Sequence, residues 1–573
     1  MITYLGTSTM RLFLSASSFA FAAFLWSAAA TNATASAQDV DAVDTSSSTF
    51  LRRAHNEYMY GAAAAADYDS APLSVDDITF HRRGLASGSG SKRSKSSSTS
   101  DVTASLAFAM TNAAGGNAIV VYNRDVQTGK LAYSGDTVGT GGLGGILPVL
   151  TNVTGANDPL ASQDSLVVTG NCLLAANPGS STVSSFRIEE DNGALGLAGN
   201  APISVVPSGG TFPVSIAVED GPSSSSFGQR STGRSGDSSR ASSSSKSKSD
   251  TTKNVNFVYV GNAGGPAPAD TTNPSSAPNM NGGNIAGFTL DRMCNLEPIA
   301  GSEISLGQKV YFPAGRINPD YELRQEGNSI LPFFASSLAQ ISFTPDGKEV
   351  LAVLKSPDND SVGSGVIIRF KINGDGTLTE FSRVNSNDAA GGTSTTPFSF
   401  TFDEEGNLLN LEAFGDSGVA FTPNAGRVRS YALEDNGDLT PLSFANTGFT
   451  DTCWVQYNPV NSCAYTTNNG GQSTSAIAVG NDGVLTLDEG VLDSSNENDF
   501  PIDLRFSSDY RFLYVLESGY TGPGNDGQPT ITVYEVAGSN CWLRERQAIT
   551  DGLPRIATTV NGVVGLAVYD FYG

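Results

Sequence analysis

Histidine is nearly absent from this 573-residue chain: His55 and His81 are the only two, so none lies beyond residue 103. Chemistry that turns on an imidazole base therefore has no group to use in the body of the chain. Charged residues are sparse at 16%, and no heptad pattern runs through the sequence, which excludes a coiled coil or a long helical bundle. The five cysteines show no CxxC spacing and stand beside no clustered histidine, so neither a metal nor a cofactor is expected. After the N-terminal segment, no stretch is apolar enough to span a bilayer.

What remains is rich in glycine, with 63 residues, and has enough aliphatic and aromatic side chains to fill a large core. That composition suits short strands joined by tight turns. At the N-terminus, Arg11 precedes an apolar run from Leu12 to Ala30, and Ala35-Ser36-Ala37 stands before Gln38. This is the order of a secretory signal peptide over residues 1–37, and the run also approaches the length of a membrane anchor. Once the signal is cleaved, no membrane partner is expected. Residues 38–103 read as a disordered leader or pro-segment, with Arg52-Arg53 and Arg82-Arg83 as candidate processing sites.

The net charge of −24 is unevenly spread. Residues 81–100 hold five basic and no acidic residues, and 221–253 hold six basic and two acidic, so the rest carries −33. A body this anionic repels nucleic acid. The stretch 221–253, dominated by serine, reads as an insertion that loops out of a strand-rich region. Phosphorylation of its serines would make a tract able to engage matrix or mineral. Asn152-Val153-Thr154 and Asn359-Asp360-Ser361 are acceptor sequences for glycan.

From residue 104 the chain repeats itself. A strand, a turn and a glycine or asparagine near an apolar residue recur as YNRDVQTGKL (Tyr122 to Leu131), FRIEEDNGAL (from Phe186), FTLDRMCNL (from Phe288), FKINGDGTL (from Phe370), YALEDNGDL (from Tyr431), IAVGNDGVL (from Ile477) and YEVAGSNCWL (from Tyr534). Ahead of each lies a second strand ending at Asn112, Asn177, Asn262, Lys355, Ala413, Asn468 or Glu517, and ahead of most of those a third. With a fourth, weaker strand after each turn, the sequence predicts an all-β, seven-bladed β-propeller over 104–573. The first repeat lacks its third strand, and VGLAVYD (Val564 to Asp570) at the C-terminus supplies it, closing the ring. Residues 104–573 without the insertion give about 62 per blade, more than the ~40–45 of compact repeats. The excess falls in connections such as Ala263 to Gly283, Ile299 to Ser337, Phe414 to Gly426 and Gly519 to Gln528.

ISFTPDGKEVLAVLKSP followed by GVIIRFKINGDGTLTEF resembles the seven-bladed lactonase family that includes 6-phosphogluconolactonase and carboxymuconate cyclase. The likeness implies opening or closing of a lactone ring on a carboxylated or phosphorylated substrate. In that family a histidine stands just before an inner strand; the matching positions here are Ser215, Gln340, Ser399, Trp454 and Asp503. An enzyme built this way would need Asp503, Glu517 or Glu412 as base, with Lys355, Arg427 or Arg429 holding substrate charge. Ser215, Gln340, Ser399, Asn262 and Asn468 would hydrogen-bond the substrate. The alternative is a non-catalytic extracellular binding or matrix propeller, and in either case a monomer. Acidic turns such as Asn373-Gly374-Asp375-Gly376 lack the ligand pattern of a calcium loop and read as hairpins. Cys453 and Cys463 flank the turn Asn458-Pro459-Val460-Asn461 and are the expected disulfide, with Cys172, Cys294 and Cys541 unassigned.

Overall fold

Each repeat folds into one antiparallel sheet whose strands run from the axis outward in chain order. Blade 4 shows the pattern: inner strand Leu338–Phe343, second Glu349–Leu354, third Val366–Ile372 and outer Leu378–Asn385. The second strands are buried on both faces, which is why they read as unbroken apolar runs such as Phe512–Glu517, FLYVLE. In blades 4, 5 and 6 the third–outer connections are the Asn-Gly and Asp-Gly turns of the repeat. In the computed structural model the described residues are 102–146, 158–191, 194–219, 255–266, 280–281, 283–307, 337–355, 365–390, 396–413, 424–488, 492–493, 500–519, 521–522, 525–538, 540–555 and 562–572. The signal, residues 38–101 of the leader with its histidines and arginine pairs, both glycan acceptors and the serine-rich insertion lie outside them, while Val102 and Thr103 already belong to a strand.

Seven such sheets form the ring. The inner strands are Val564–Tyr572 (blade 1), Leu166–Thr169, Pro213–Val218, Leu338–Phe343, Pro397–Phe402, Thr452–Asn458 and Pro501–Phe506 (blade 7). As expected, the last strand of the chain is the inner strand of the first blade. Val564–Tyr572 pairs antiparallel with Val102–Met110, with Leu106 opposite Tyr569 and Ala109 opposite Leu566. It is also tied to blade 7: Leu566 N donates to Asp503 Oδ2 at 2.9 Å, Arg505 Nε donates to Leu566 O at 3.2 Å, and Ser508 N and Oγ donate to Asp570 Oδ2 at 2.9 and 2.6 Å. On its other side, Gly565 lets the strand pack closely against blade 2. Its φ is +67°, and a Cβ there would lie 2.8 Å from Leu166 Cβ.

The turns also latch neighbouring blades together. The residue two places before the outer-strand leucine offers its carbonyl to the preceding blade. Gly129 O accepts from Tyr514 OH at 2.9 Å, Cys294 O from Ser185 Oγ at 2.6 Å, Gly376 O from Tyr259 OH at 3.0 Å, Gly437 O from Ser382 Oγ at 2.6 Å and Gly483 O from Ser430 Oγ at 2.5 Å. At two of these interfaces an aromatic ring fills the space over the glycine: a Cβ would meet the ring of Phe512 at Gly129 and that of Phe257 at Gly376.

At two other interfaces the same pair of positions holds a disulfide. Cys172 bonds Cys294 between blades 2 and 3, and Cys463 bonds Cys541 between blades 6 and 7. Cys172, Cys463, Phe257 and Phe512 all stand five residues before the end of a second strand. The expected Cys453–Cys463 bond is thereby corrected. The register pairs Asn458 with Cys463 and Trp454 with Thr467, so Cys453 lies at the opposite end of the hairpin, where it is a buried free thiol.

Candidate active site at the channel mouth

The second strands end, and the inner and third strands begin, on one face of the ring. Lys355 closes the second strand of blade 4 on this face, and Asp158 and Asp451 lie in the approaches to the inner strands of blades 2 and 6. The approach to blade 2, residues 158–165, is not a surface loop; it crosses the axis. Ser162 Oγ donates to Val214 O at 2.8 Å in blade 3, and Gln163 N to Ala339 O at 3.0 Å in blade 4. The Gln163 amide donates to Val455 O at 3.0 Å and accepts from Val455 N at 3.1 Å in blade 6. Asp164 accepts from Gln340 Nε2 at 2.7 Å and from Arg505 Nη2 at 2.6 Å, and its carbonyl takes Ile216 N at 2.8 Å. One segment thus reaches four blades, with Ala161 and Asp164 in left-handed backbone at φ +47° and +66°. Such conformations persist in non-glycine residues only where surrounding bonds impose them.

The predicted site residues divide into those this arrangement absorbs and those it brings to the mouth. Ser215, Gln340, Ser399 and Asp503 are buried and bond one blade to the next. Ser215 Oγ accepts from Ile341 N at 3.0 Å, Gln340 Oε1 from Phe400 N at 2.6 Å, and Ser399 Oγ donates to Cys453 O at 2.5 Å. Trp454 Nε1 donates to Ser162 O at 2.9 Å. Asp503 takes Leu504 N on one oxygen and Leu566 N on the other. Glu412 is fully buried between Arg427 and Arg429, accepting from the Nε of each, and both guanidiniums stack on Phe444 at 5.3 and 5.0 Å. Glu517 accepts from Thr532 Oγ1 at 3.1 Å. Asn262 Nδ2 donates to Ser208 O at 3.1 Å. Asn468 ties its blade by donating to Ser473 and Ser475 and accepting from Thr452, and Asn177 repeats this with Thr182, Ser184 and Thr140.

Lys355 is different. Its ammonium lies 2.6 Å from Ala161 O, over the ring of Phe398 at 5.1 Å, while Ala161 N donates to Asp158 Oδ1 at 2.8 Å. A carboxylate and an amine therefore converge on one residue of the crossing segment. Burial raises the Asp158 carboxyl and lowers the Lys355 ammonium, each shift tempered by the other's charge. Beside them, Cys453 Sγ lies 3.4 Å from Asp451 Oδ1. Burial raises Asp451 to about 6 and Asp503 to about 7, and holds the Cys453 thiol well above its ordinary value. Among the described residues, no group of three or more histidines, cysteines or carboxylates could hold a metal ion.

No family model matches the sequence, and no curated protein does. Solved structures do. The periplasmic gluconolactonase PpgL of Pseudomonas aeruginosa is 14% identical, with 82% of this chain and 99% of that one covered at a TM-score of 0.50. A Bacteroides uniformis protein provisionally assigned as a 6-phosphogluconolactonase is 15% identical over 81% of this chain and 99% of its own, at 0.48. The resemblance to the lactonase propellers holds at the level of the fold. Asp158, Asp164, Gln163 and Asp451 were missed because the sequence between the outer strand of one blade and the inner strand of the next does not repeat. The one available signal was the polar stretch SQDS directly before an inner strand.

Proposed function

We propose that this protein hydrolyses lactones, with Asp158 and Lys355 as its acid–base pair. The observation that carries the reading is their convergence on Ala161, in strained backbone, at the face where the inner strands begin. Water attacking a lactone carbonyl must lose a proton, and the carbonyl oxygen gains negative charge as it does so. Ionised Asp158 takes the proton, and the Lys355 ammonium donates to the oxygen. The ring C–O bond then breaks, the ring oxygen recovers the proton from Asp158, and a hydroxy acid results. Pairs of titratable groups whose surroundings push them toward neutrality mark such sites more often than chance. The shared fold with a gluconolactonase supports the substrate class, and the N-terminal sequence and two disulfides support an extracellular, oxidising location.

One observation favours the other reading, a binding propeller without turnover. Glu412 is committed to its arginines, Asp503 to the backbone, and the axis is filled by residues 161–164. Assay of the purified full chain against a panel of γ- and δ-lactones separates the two. The enzyme reading predicts turnover that Asp158→Asn and Lys355→Met each lower by at least about a hundredfold, and that Asp375→Asn, on an exposed turn of the opposite face, leaves intact. Absence of turnover across the panel would favour the binding module.

A further inference from the structure

The charges around this mouth bear on what it can admit, an inference that rests on the lactone reading. Four carboxylates stand at or just below the opening: Asp158, Asp164, Asp451 and Asp503. The field of Asp451 and Asp503 reaches Asp158. Among the described residues, Lys355 and Arg505 are the cations beside them, and both are engaged by the protein. Lys355 donates to Ala161 O with Asp158 beside it, and Arg505 donates to Asp164 at 2.6 Å and to Leu566 O at 3.2 Å. The arginine pair of blade 5, which the sequence offered as a substrate clamp, is turned onto Glu412 and the Phe444 ring.

An anionic ligand entering here would give up its hydration and meet like charge in a medium that screens poorly. An uncharged polyhydroxy lactone would meet no like charge and could donate its hydroxyls to these carboxylates. We infer that the substrate is an uncharged lactone, and that Asp158 and Asp451 reject lactones bearing a phosphate or a second carboxylate. This departs from the carboxylated or phosphorylated substrate that the sequence resemblance implies. The discrimination comes from repulsion of the wrong ligand and needs no extra contact with the right one.

The test compares kcat/KM of the full chain for glucono-δ-lactone and for its 6-phosphate, with wild type and Asp451→Asn. The uncharged lactone should be preferred by at least about tenfold, and Asp451→Asn should narrow that ratio by improving the phosphorylated substrate selectively. Equal or faster hydrolysis of the phosphate, or a ratio unmoved by Asp451→Asn, would overturn the charge argument and leave the lactone reading standing. Hydrolysis of neither compound, nor of any other lactone in the panel, would remove the lactone reading and this inference with it.

Discussion

Gln163 does with one side chain what a neighbouring strand does with its backbone: its amide both donates to and accepts from Val455. Gln163→Leu keeps the volume but strands the Val455 N–H and C=O in a buried place. At about 1–3 kcal/mol for each of the two groups left unpaired, the full chain should lose roughly 2–6 kcal/mol to denaturant; a loss below about 1 kcal/mol would mean that the crossing segment is not held as described. The buried acids make a second prediction. Asp451 and Asp503 release their protons at about 6 and 7 in the folded chain, against about 3.9 when unfolded. Between those values the folded state holds more protons, so stability falls as pH rises from about 4 to 7. The melting temperature should therefore be higher at pH 5 than at pH 8, and Asp503→Asn, which cannot ionise, should shrink the difference. A difference unchanged in Asp503→Asn would assign the effect to other groups.

The turn between third and outer strand is the element that carries most of the inter-blade chemistry. Its left-handed residue, glycine in most blades and Cys294 at φ +65° in blade 3, presents a carbonyl to the preceding blade. At four interfaces the site is completed either by a phenylalanine over glycine, as at Gly129 and Gly376, or by two cysteines. Cross-links spanning 122 and 78 residues restrict the unfolded chain strongly, on the order of 4–5 kcal/mol each in the chain-entropy model. Cys172→Ser with Cys294→Ser should lower the melting temperature by several degrees. Cys172→Phe with Cys294→Gly, copying the Phe257–Gly376 interface, should recover part of that loss, and no recovery would mean the two solutions are not interchangeable. The strands and these turns were legible because their period is imposed by burial and by positive φ. The disulfides were also legible in principle, since Cys294 and Cys541 both fall two residues before the repeat's leucine, where other blades have glycine. Pairing by proximity across the hairpin chose Cys453 instead, because distance along the chain carries no information about the neighbouring blade. The crossing segment was illegible for a related reason: its partners, Val214, Ala339, Val455 and Arg505, are distributed over four repeats.

For the whole molecule, closure pairs Val102–Met110 with Val564–Tyr572, so the strand that begins the ring takes its inner neighbour from the other end of the chain. Deleting residues 562–573 should abolish cooperative melting, and a truncated chain that melted as the full one does would show that the ring closes otherwise. With the axis filled by residues 161–164, the functional reading depends on one face and on two side chains there. The pH dependence of kcat/KM for an uncharged lactone tests that reading most directly. The account predicts a bell with both limbs near neutrality, an acid limb that disappears in Asp158→Asn and an alkaline limb that disappears in Lys355→Met. A rate that simply climbs with hydroxide, or a bell unchanged by either substitution, would contradict it.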